Sequence, residues 1–424
     1  MNYAHINALL HREVIPAIGC TEPIAVSLCV AKACETLGTL PKRIKVLLSP
    51  NIYKNAMGVG IPNTGMTGLP IAVALGAVAG RSEYELQVLK DADNCAVERA
   101  KSYLESAEIK IDIDRQTNQM LYICVEAWSD SDSAKAIIEG THTNFTEVSR
   151  NGEIIFSKQS EDGDNTTEQN EQSLTLRDVY EYATTVDLDE IVWLKEAEKM
   201  NIGAAEISFT DNYGHGLGRL MHTTAKESIF GDTLFTKILS YTSGACDARM
   251  SGAMVPVMSN SGSGNQGISA TIPVVIFGRE KGVSEEKLLR ALALSHLTVV
   301  YIKQSLGRLS ALCGCVVAAT GSSCGITYLM GGEFNEVSYA VKNMVANLTG
   351  MICDGAKPSC SLKVTSGVST AVLSAVLAIE QRHTTSLEGI IDDDVDKCIA
   401  NLTNIGRNGM RETDKLILEI MTNK

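Results

Sequence analysis

Aromatic residues are scarce in this sequence of 424 residues: they make up only 5% of it, although 45% of the residues are hydrophobic. The core must therefore be built mainly from Ala, Val, Leu, Ile and Met side chains. Such a core favours helices that pack closely, and the 35 glycines indicate close backbone approaches or many turns. A chain of this length is expected to form two or three domains, each with a core of its own.

Positive charge is also in short supply, because 50 Asp and Glu side chains outnumber 37 Lys and Arg side chains. The resulting net charge of -13 argues against nucleic acid as a partner, since phosphate binding needs a basic surface. Such a charge suits a soluble enzyme of the cytoplasm.

No export signal is visible, because His11, Arg12 and Glu13 stand where a signal peptide needs an apolar core. We therefore expect a cytoplasmic protein whose twelve cysteines are buried, catalytic or metal-bound thiols and not disulfides. Residues 309–332 carry no charge, but serines, threonines and glycines interrupt them. This stretch is predicted to form a buried helix or turn and not to enter a membrane.

The spacing of the apolar residues predicts an α+β fold. Residues 1–40 have helical spacing, with a second helix that begins near Pro23, and residues 43–48 alternate as a strand does. Residues 54–68 are predicted to form a glycine-rich turn. Further helices are predicted over 69–79, 133–139, 174–200 (as two), 284–306, 337–353 and 365–379, with paired strands over 109–114 and 120–128 and a hairpin over 146–156 around Asn151-Gly152.

These elements predict a small mixed α/β module and a large, mostly helical domain that carries the cysteine motifs. We assign residues 1–80 to an N-terminal helical segment packed on the C-terminal domain, 81–160 to the small module and 174–424 to the helical domain. Residues 159–173 are acidic and polar, which is typical of a solvated linker. So apolar a helical region often buries an interface, and a homo-oligomer is therefore possible.

Five of the cysteines stand beside a glycine, a proline or a predicted helix end: Cys20 in GCTEP, Cys313 and Cys315 in LCGC, and Cys353 and Cys360 in CDGAKPSC. No C-x-x-C pair exists, which disfavours zinc ribbons, thioredoxin-like sites and ferredoxin-type cluster motifs. An iron–sulfur cluster needs thiolates that converge from several chain segments, with backbone amides near the sulfurs. The residues alone leave open whether Cys20, Cys313 and Cys353 are ligands or core.

Free cysteines are more often small buried apolar residues than ligands. We favour that interpretation for the cysteines that lie in ordinary amphipathic or mixed patterns, which are Cys29, Cys34, Cys95, Cys124, Cys246 and Cys398.

A polar loop, SNSGSGNQG at residues 259–267, is the second candidate site. Its hydroxyls, amides and glycines can surround a carboxylate with backbone N–H donors. Ser261, Ser263, Gly264 and Asn265 are therefore candidate substrate-binding residues. A polar loop without a ligand remains the alternative.

The same loop also satisfies the pattern G-x-G-x-x-G, which in a dinucleotide site lies between a strand and a helix. Here Pro256 interrupts the segment before the loop, and Pro273 falls where the helix should be running. The context therefore disfavours a nucleotide site.

Two further segments carry polar groups that could act on a substrate. His215 lies between two glycines, where a histidine is reachable and titrates near neutral pH, so it is a candidate for proton transfer. A loop histidine is more often simply solvated. Asn63 and Thr64 lie in a polar turn that could also bind an anion.

Taken together, GCTEP, SNSGSGNQG, ALCGC and CDGAKPSC resemble the L-cysteine desulfidase family, which is related to the α domain of iron–sulfur L-serine dehydratases. The resemblance spans nearly the whole chain, with four motifs in the same order. It implies a PLP-independent lyase with a 4Fe–4S cluster that converts L-cysteine to pyruvate, ammonia and sulfide.

Carried over by motif, the resemblance implies Cys20, Cys313 and Cys353 as cluster ligands. Cys315 lies two residues from Cys313 and could take its place. The dehydratases have a cysteine at a longer spacing than Cys360 has here, which puts that residue in doubt as a ligand. The polar loop resembles the substrate loop of the dehydratases but lacks their proline-threonine core.

Three thiolates would leave one iron of the cluster open to act as a Lewis acid toward a soft leaving thiolate, or toward a hydroxyl if the substrate is serine. Lys357 and Lys363 could pair with the substrate carboxylate or reduce the negative charge around the cluster, although structural salt bridges explain them equally well. Two alternatives remain: an L-serine or L-threonine dehydratase with the same cluster, and a non-enzymatic, thiol-rich metal or redox protein.

Overall fold

The computed structural model describes residues 3–117, 119–158, 174–224, 230–307 and 310–423. Within them a sheet of six strands lies beside a large helical region, which confirms the α+β fold class. The predicted linker at 159–173 lies outside the described residues.

The helices are α1 (Tyr3–Glu13), α2 (Thr21–Leu37), α3 (Pro50–Ala56), α4 (Leu69–Ala79), α5 (Asn94–Ser106), α6 (Leu176–Thr185), α7 (Lys195–Thr210), α8 (Leu217–Thr224), α9 (Leu234–Met250), α10 (Gly264–Lys281), α11 (Glu285–Leu306), α12 (Gly314–Leu329), α13 (Phe334–Leu348), α14 (Cys360–Ile379), α15 (Val395–Asn404) and α16 (Arg411–Thr422). The strands are β1 (Pro16–Ile18), β2 (Arg43–Leu48), β3 (Glu108–Ile113), β4 (Tyr122–Trp128), β5 (Ser133–Glu139), β6 (Phe145–Arg150), β7 (Glu153–Ser157) and β8 (Pro256–Met258).

The six-stranded sheet has the order β3-β2-β4-β5-β6-β7, with β2 and β3 parallel and every other pair antiparallel. Ile44, Val46 and Leu48 of β2 are fully buried, as the alternating pattern predicted. The hairpin β6–β7 turns at Asn151 and Gly152, both with positive φ, which such tight turns require.

Two predictions about this sheet are wrong. Residues 133–139 form strand β5 and not a short helix, because the alternating Ala134, Ala136 and Ile138 are buried while β5 pairs with strands on both sides. Strands β3 and β4 are not partners, because β2 lies between them.

The buried side chains form two cores. Helices α2 and α4 pack with β2, β4 and β5 in one core, and we call this part of the chain the sheet module. Ile6, Leu9 and Leu10 of α1 belong instead to the core of the helical region. The predicted boundary at residue 80 therefore falls inside the core of the sheet module, and the chain crosses between the two cores near residue 20.

Helices α10, α11 and α12 form the centre of the helical region. Residues 315–327 of α12 are all buried, as expected for the charge-free stretch. A Cβ at Gly321 would clash with the carbonyl oxygen of Ser295 on α11, and one at Gly325 would lie 2.9 Å from that of Ala291. The two glycines therefore allow α11 and α12 to approach backbone to backbone.

Helix α10 corrects one inference about the polar loop. It begins at Gly264 and continues through Pro273 to Lys281, so proline does not end it. A strand and a helix do flank the loop, but the strand, β8, pairs only with β1 in an antiparallel ribbon. That ribbon is not the parallel βαβ unit of a dinucleotide site.

Helix α14 is the one helix among the described residues that is long and apolar enough to cross a membrane. It packs against α9, α12 and α13, and 44% of its most apolar window is buried. Helix α13 ends at Leu348, earlier than predicted, because the following residues pair with the segment before α12.

Replacing Gly321 with Ala should lower the free energy of unfolding by about 1–3 kcal/mol, because the new methyl group forces α11 away from α12. Gly203, inside α7, is the matched control, since no heavy atom lies within 4 Å of a Cβ built there. Gly203→Ala should raise stability by about 0.5–1 kcal/mol. Denaturant titration of both variants measures the difference, and equal effects would contradict the close approach.

Candidate active site

A cavity of about 580 Å³ lies where the N-terminal segment, the polar loop, the starts of α12 and α14, and two loops of the sheet module meet. Five thiols line it, those of Cys20, Cys313, Cys315, Cys353 and Cys360. All five were singled out from their sequence context, and they come from three distant parts of the chain.

Four helices begin at this cavity. Cys20 precedes α2, Ser263 precedes α10, Cys313 precedes α12, and Cys360 is the first residue of α14. The N-terminus of a helix carries partial positive charge and unpaired N–H groups, which stabilise thiolates and bind anions. The cavity therefore combines thiols with a field that favours negative charge.

A short backbone bridge holds Cys313 beside Cys353. Leu312 pairs antiparallel with Ile352, so that the Cys313 N–H donates to the Met351 carbonyl at 2.9 Å and the Cys353 N–H donates to the Ala311 carbonyl at 2.6 Å. Two backbone hydrogen bonds thus hold together two cysteines that are 40 positions apart in the sequence.

Burial favours the neutral form of the Cys20 and Cys313 thiols. Burial, and then the neighbouring Cys353, raise the pKa of Cys313 to about 12. Burial, and then Glu22, raise the pKa of Cys20, whose Sγ donates a hydrogen bond to the Glu22 carboxylate at 3.0 Å. A cationic metal centre would offset this cost, because metal binding releases the proton of a thiol.

Cys315 and Cys360 differ in how they face the cavity. The Sγ of Cys315 donates to the Lys363 carbonyl at 3.1 Å and lies so close to Gly367 of α14 that a Cβ there would clash with it. This contact turns the Cys315 side chain toward α14. Cys360 is half-buried, and burial raises its pKa although the neighbouring Lys357 opposes the rise.

The donor set of the cavity consists of thiols, and thiolate is the ligand that iron–sulfur clusters use. Among the described residues, no three His, Cys, Asp or Glu side chains are close enough together to bind one metal ion.

The polar loop is fixed to the N-terminal segment. The N–H of Ser261 donates to the Glu13 carbonyl at 2.9 Å, next to the β1–β8 ribbon. Ser261, Ser263 and Asn265 line the cavity, and their role in substrate binding remains a prediction. Gly264 lies behind them, where a Cβ would clash with the guanidinium of Arg249.

A buried histidine forms a hydrogen bond with this loop. His296 of α11 is fully buried and accepts a hydrogen bond at Nδ1 from the Asn260 amide at 3.0 Å, while its Nε2 lies 3.0 Å from the Thr271 hydroxyl. Asn260 in turn accepts from the Ser261 hydroxyl at 2.8 Å. Burial lowers the pKa of His296 to about 4, so the ring is neutral at neutral pH.

Lys357 and Lys363 hold the loop of Cys353 and do not reach into the site with free charges. Lys357 pairs with Asp354 at 2.6 Å, and Lys363 pairs with the same carboxylate and donates to the Ile352 carbonyl at 2.9 Å. Although burial opposes them, hydrogen bonds from the two lysines lower the pKa of Asp354 to about 2. The structural role foreseen for both lysines accounts for these contacts, whereas no contact supports a catalytic role for Lys357.

The structure does not bring His215, Asn63 or Thr64 to the cavity. His215 is exposed on the loop before α8, near Asp247. The Thr64 hydroxyl donates to the Ile61 carbonyl at 2.8 Å within its own turn. Proton transfer by His215 and substrate binding by the turn remain predictions without geometric support.

Sequence patterns did not mark several of the cavity residues. Glu22 lies inside the GCTEP motif close to Cys20, and Arg249 lies in the last turn of α9, two residues after Asp247. Loops of the sheet module at 119–121 and 140–142 also line the cavity. No local pattern marks these loops, because only the packing of the two cores brings them to the site.

The fold and the site define a class of protein: an α+β chain with a large helical region and a thiol-lined cavity at the N-termini of several helices. Residues 83–419 match the model of the serine dehydratase alpha chain family, and the chain therefore belongs to that family. The matched range contains the polar loop, Cys313 and Cys353, and begins after Cys20.

Three relatives that align over nearly the whole length are each named UPF0597 protein. One from Bacteroides fragilis is 62% identical over 419 residues, which are 99% of this chain and 98% of the relative. That from Phocaeicola vulgatus is 61% identical over 420 residues (99% and 97%), and that from Porphyromonas gingivalis is 50% identical over 424 residues (99% and 98%).

The buried His296 should make the protein lose stability in mild acid. In the unfolded chain the His296 imidazole takes up a proton near pH 6.5, whereas in the folded protein it does so only near pH 4. The free energy of unfolding therefore falls as the pH drops through this window. Between pH 7 and pH 5 this group should cost about 2 kcal/mol of unfolding free energy. Denaturant titrations of wild type and His296→Gln at both pH values test it: the variant should lose about 2 kcal/mol less, and an equal loss in both would rule out His296 as the cause.

Proposed function

We propose that this protein is an iron–sulfur-dependent, PLP-independent lyase that converts L-cysteine and water to pyruvate, ammonia and sulfide. The observation that carries the proposal is that Cys20, Cys313 and Cys353, from three separate chain segments, line one cavity together with the polar loop. The membership in the serine dehydratase alpha chain family supports a lyase.

In this proposal Cys20, Cys313 and Cys353 hold a 4Fe–4S cluster. A cluster bound by three thiolates supplies one iron without a protein ligand, which can act as a Lewis acid toward the leaving group. The helix N-termini behind Cys20 and Cys313 stabilise the thiolates, and Lys363 lowers the negative charge near Cys313.

The remaining parts of the cavity bind and enclose the substrate. Ser261, Ser263 and Asn265 offer hydroxyl and amide groups to a small polar molecule. The loops 119–121 and 140–142 line the cavity from the side of the sheet module. Glu22 is a carboxylate placed inside the cavity that can exchange a proton, a position that His215 lacks.

Dehydration of L-serine or L-threonine is the second candidate, and the description of the family favours it. The two reactions differ only in the leaving group, a soft thiolate or a harder hydroxyl. Contacts to that group decide the preference, and a pocket built to bind one polar group rejects the other strongly.

Alanine at Cys20, Cys313 or Cys353 should abolish the visible absorbance of a cluster and lower the rate by more than about 100-fold, because the missing thiolate removes a ligand and with it the Lewis acid. Cys324→Ala is the matched control, since Cys324 is buried in α12 away from the cavity and should keep iron, sulfide and activity. Cys315→Ala and Cys360→Ala complete the series. A Cys353→Ala variant with a full cluster would contradict the assignment.

Protein purified without oxygen and reconstituted with iron and sulfide should release equal amounts of pyruvate and sulfide from L-cysteine, and more pyruvate from L-cysteine than from L-serine at equal concentration. Exposure to air should remove colour and activity together. Higher kcat/KM for L-serine would establish the dehydratase instead. Bound zinc without inorganic sulfide, and no product from any amino acid, would show a non-enzymatic thiol protein.

A further inference from the structure

Arg249, in the last turn of α9, is a buried cation that lines the cavity. Only 3% of the residue is exposed. Within the part of the chain that the structure describes, its Nη1 donates one hydrogen bond to the side-chain oxygen of Asn265 at 3.1 Å, and its Nε has no hydrogen-bond partner. Among the described residues no carboxylate forms an ion pair with it.

Such an arrangement is costly unless an anion completes it. A guanidinium keeps its charge at any physiological pH, so burial cannot be relieved by losing a proton. Removing a charge from water without a partner costs several kcal/mol. The neighbouring Asp247 does not serve, since its Oδ2 accepts the N–H of Gly218 at 3.1 Å on the other side of α9.

The surroundings of the guanidinium are shaped for an anion. Gly264, the first residue of α10, leaves room for it, because any Cβ there would clash with Nε. Arg249 therefore lies against the N-terminus of an 18-residue helix, where backbone N–H groups and the helix dipole also favour negative charge.

The other basic side chains of the cavity are already engaged. Arg12 pairs with Glu13 at 3.0 Å, Lys363 pairs with Asp354, and Lys303 has a contact of its own. Arg249 is thus the cation best able to accept a new carboxylate, and its planar guanidinium suits two parallel hydrogen bonds to one.

We propose that Arg249, with the first turn of α10, binds the α-carboxylate of the amino-acid substrate. This inference rests on the proposed function. The guanidinium lies near enough to Cys20 for its positive charge to oppose the rise in the pKa of that thiol. A carboxylate bound to Arg249 therefore places the rest of the substrate beside the cysteines. Specificity for α-amino acids over amines then follows from this one ion pair.

Reconstituted protein and two probes test the inference by calorimetry. L-alanine has the carboxylate but no leaving group, and 2-aminoethanethiol has the thiol but no carboxylate. Arg249→Gln should weaken binding of L-alanine by about 30-fold or more and leave 2-aminoethanethiol unchanged, whereas Arg249→Lys should show a smaller loss. The exposed Arg279, paired with Glu198 at 2.7 Å, provides the control Arg279→Gln, which should bind both probes as wild type does.

Kinetics and metal analysis separate this inference from the proposed function. If wild type turns over no amino acid, the proposed function fails. If wild type is active but Arg249→Gln and Arg249→Lys, folded by circular dichroism, keep the affinity for L-alanine and the KM, the carboxylate site is overturned. Loss of iron with unchanged affinity for L-alanine would also overturn it, because the guanidinium would then serve the thiolates.

Discussion

The convergence of four helix N-termini on one cavity is the constraint on which the site depends. Helices α2, α10, α12 and α14 each begin at the cavity, and each start is occupied by a thiol or a hydroxyl. Ser263 caps α10, whereas α2, α12 and α14 have no side-chain cap, and uncapped helix starts are costly to bury unless something satisfies their N–H groups. The arrangement therefore suits a site that accepts negative charge, whether as thiolate or as carboxylate.

That convergence in turn depends on close helix packing and on a rigid support for the loops. Gly321 and Gly325 let α11 lie against α12, which places His296 beneath the polar loop. The bridge between Leu312 and Ile352 and the two lysines at Asp354 hold the opposite wall. The cavity is thus fixed by backbone pairing and buried polar contacts, and the hydrophobic cores supply the frame around it.

Local patterns predicted those elements whose structure is decided locally. Strand 43–48 and helix 69–79 have the predicted bounds, and the Asn151-Gly152 turn lies where its positive φ angles require it. The failures had non-local causes. Residues 133–139 form a short segment without a strong helix signal, and hydrogen bonding to a strand on each side makes it a strand. Helix α10 continues through Pro273 because tertiary packing outweighs one lost hydrogen bond.

The sequence by itself determined which residues can take part in chemistry: thiols beside glycines, prolines and helix ends, and a loop of small polar residues. It also determined that the helices can pack closely. Only the tertiary structure decided which of these residues meet. It brought Cys20 and Cys313 to one cavity across nearly three hundred residues and left His215 outside that cavity. It also buried Arg249 with no carboxylate partner among the residues that the structure describes. The physical reason is that chemistry resides in side chains, whereas proximity comes from the packing of two cores and the ends of helices that lie far apart in the chain.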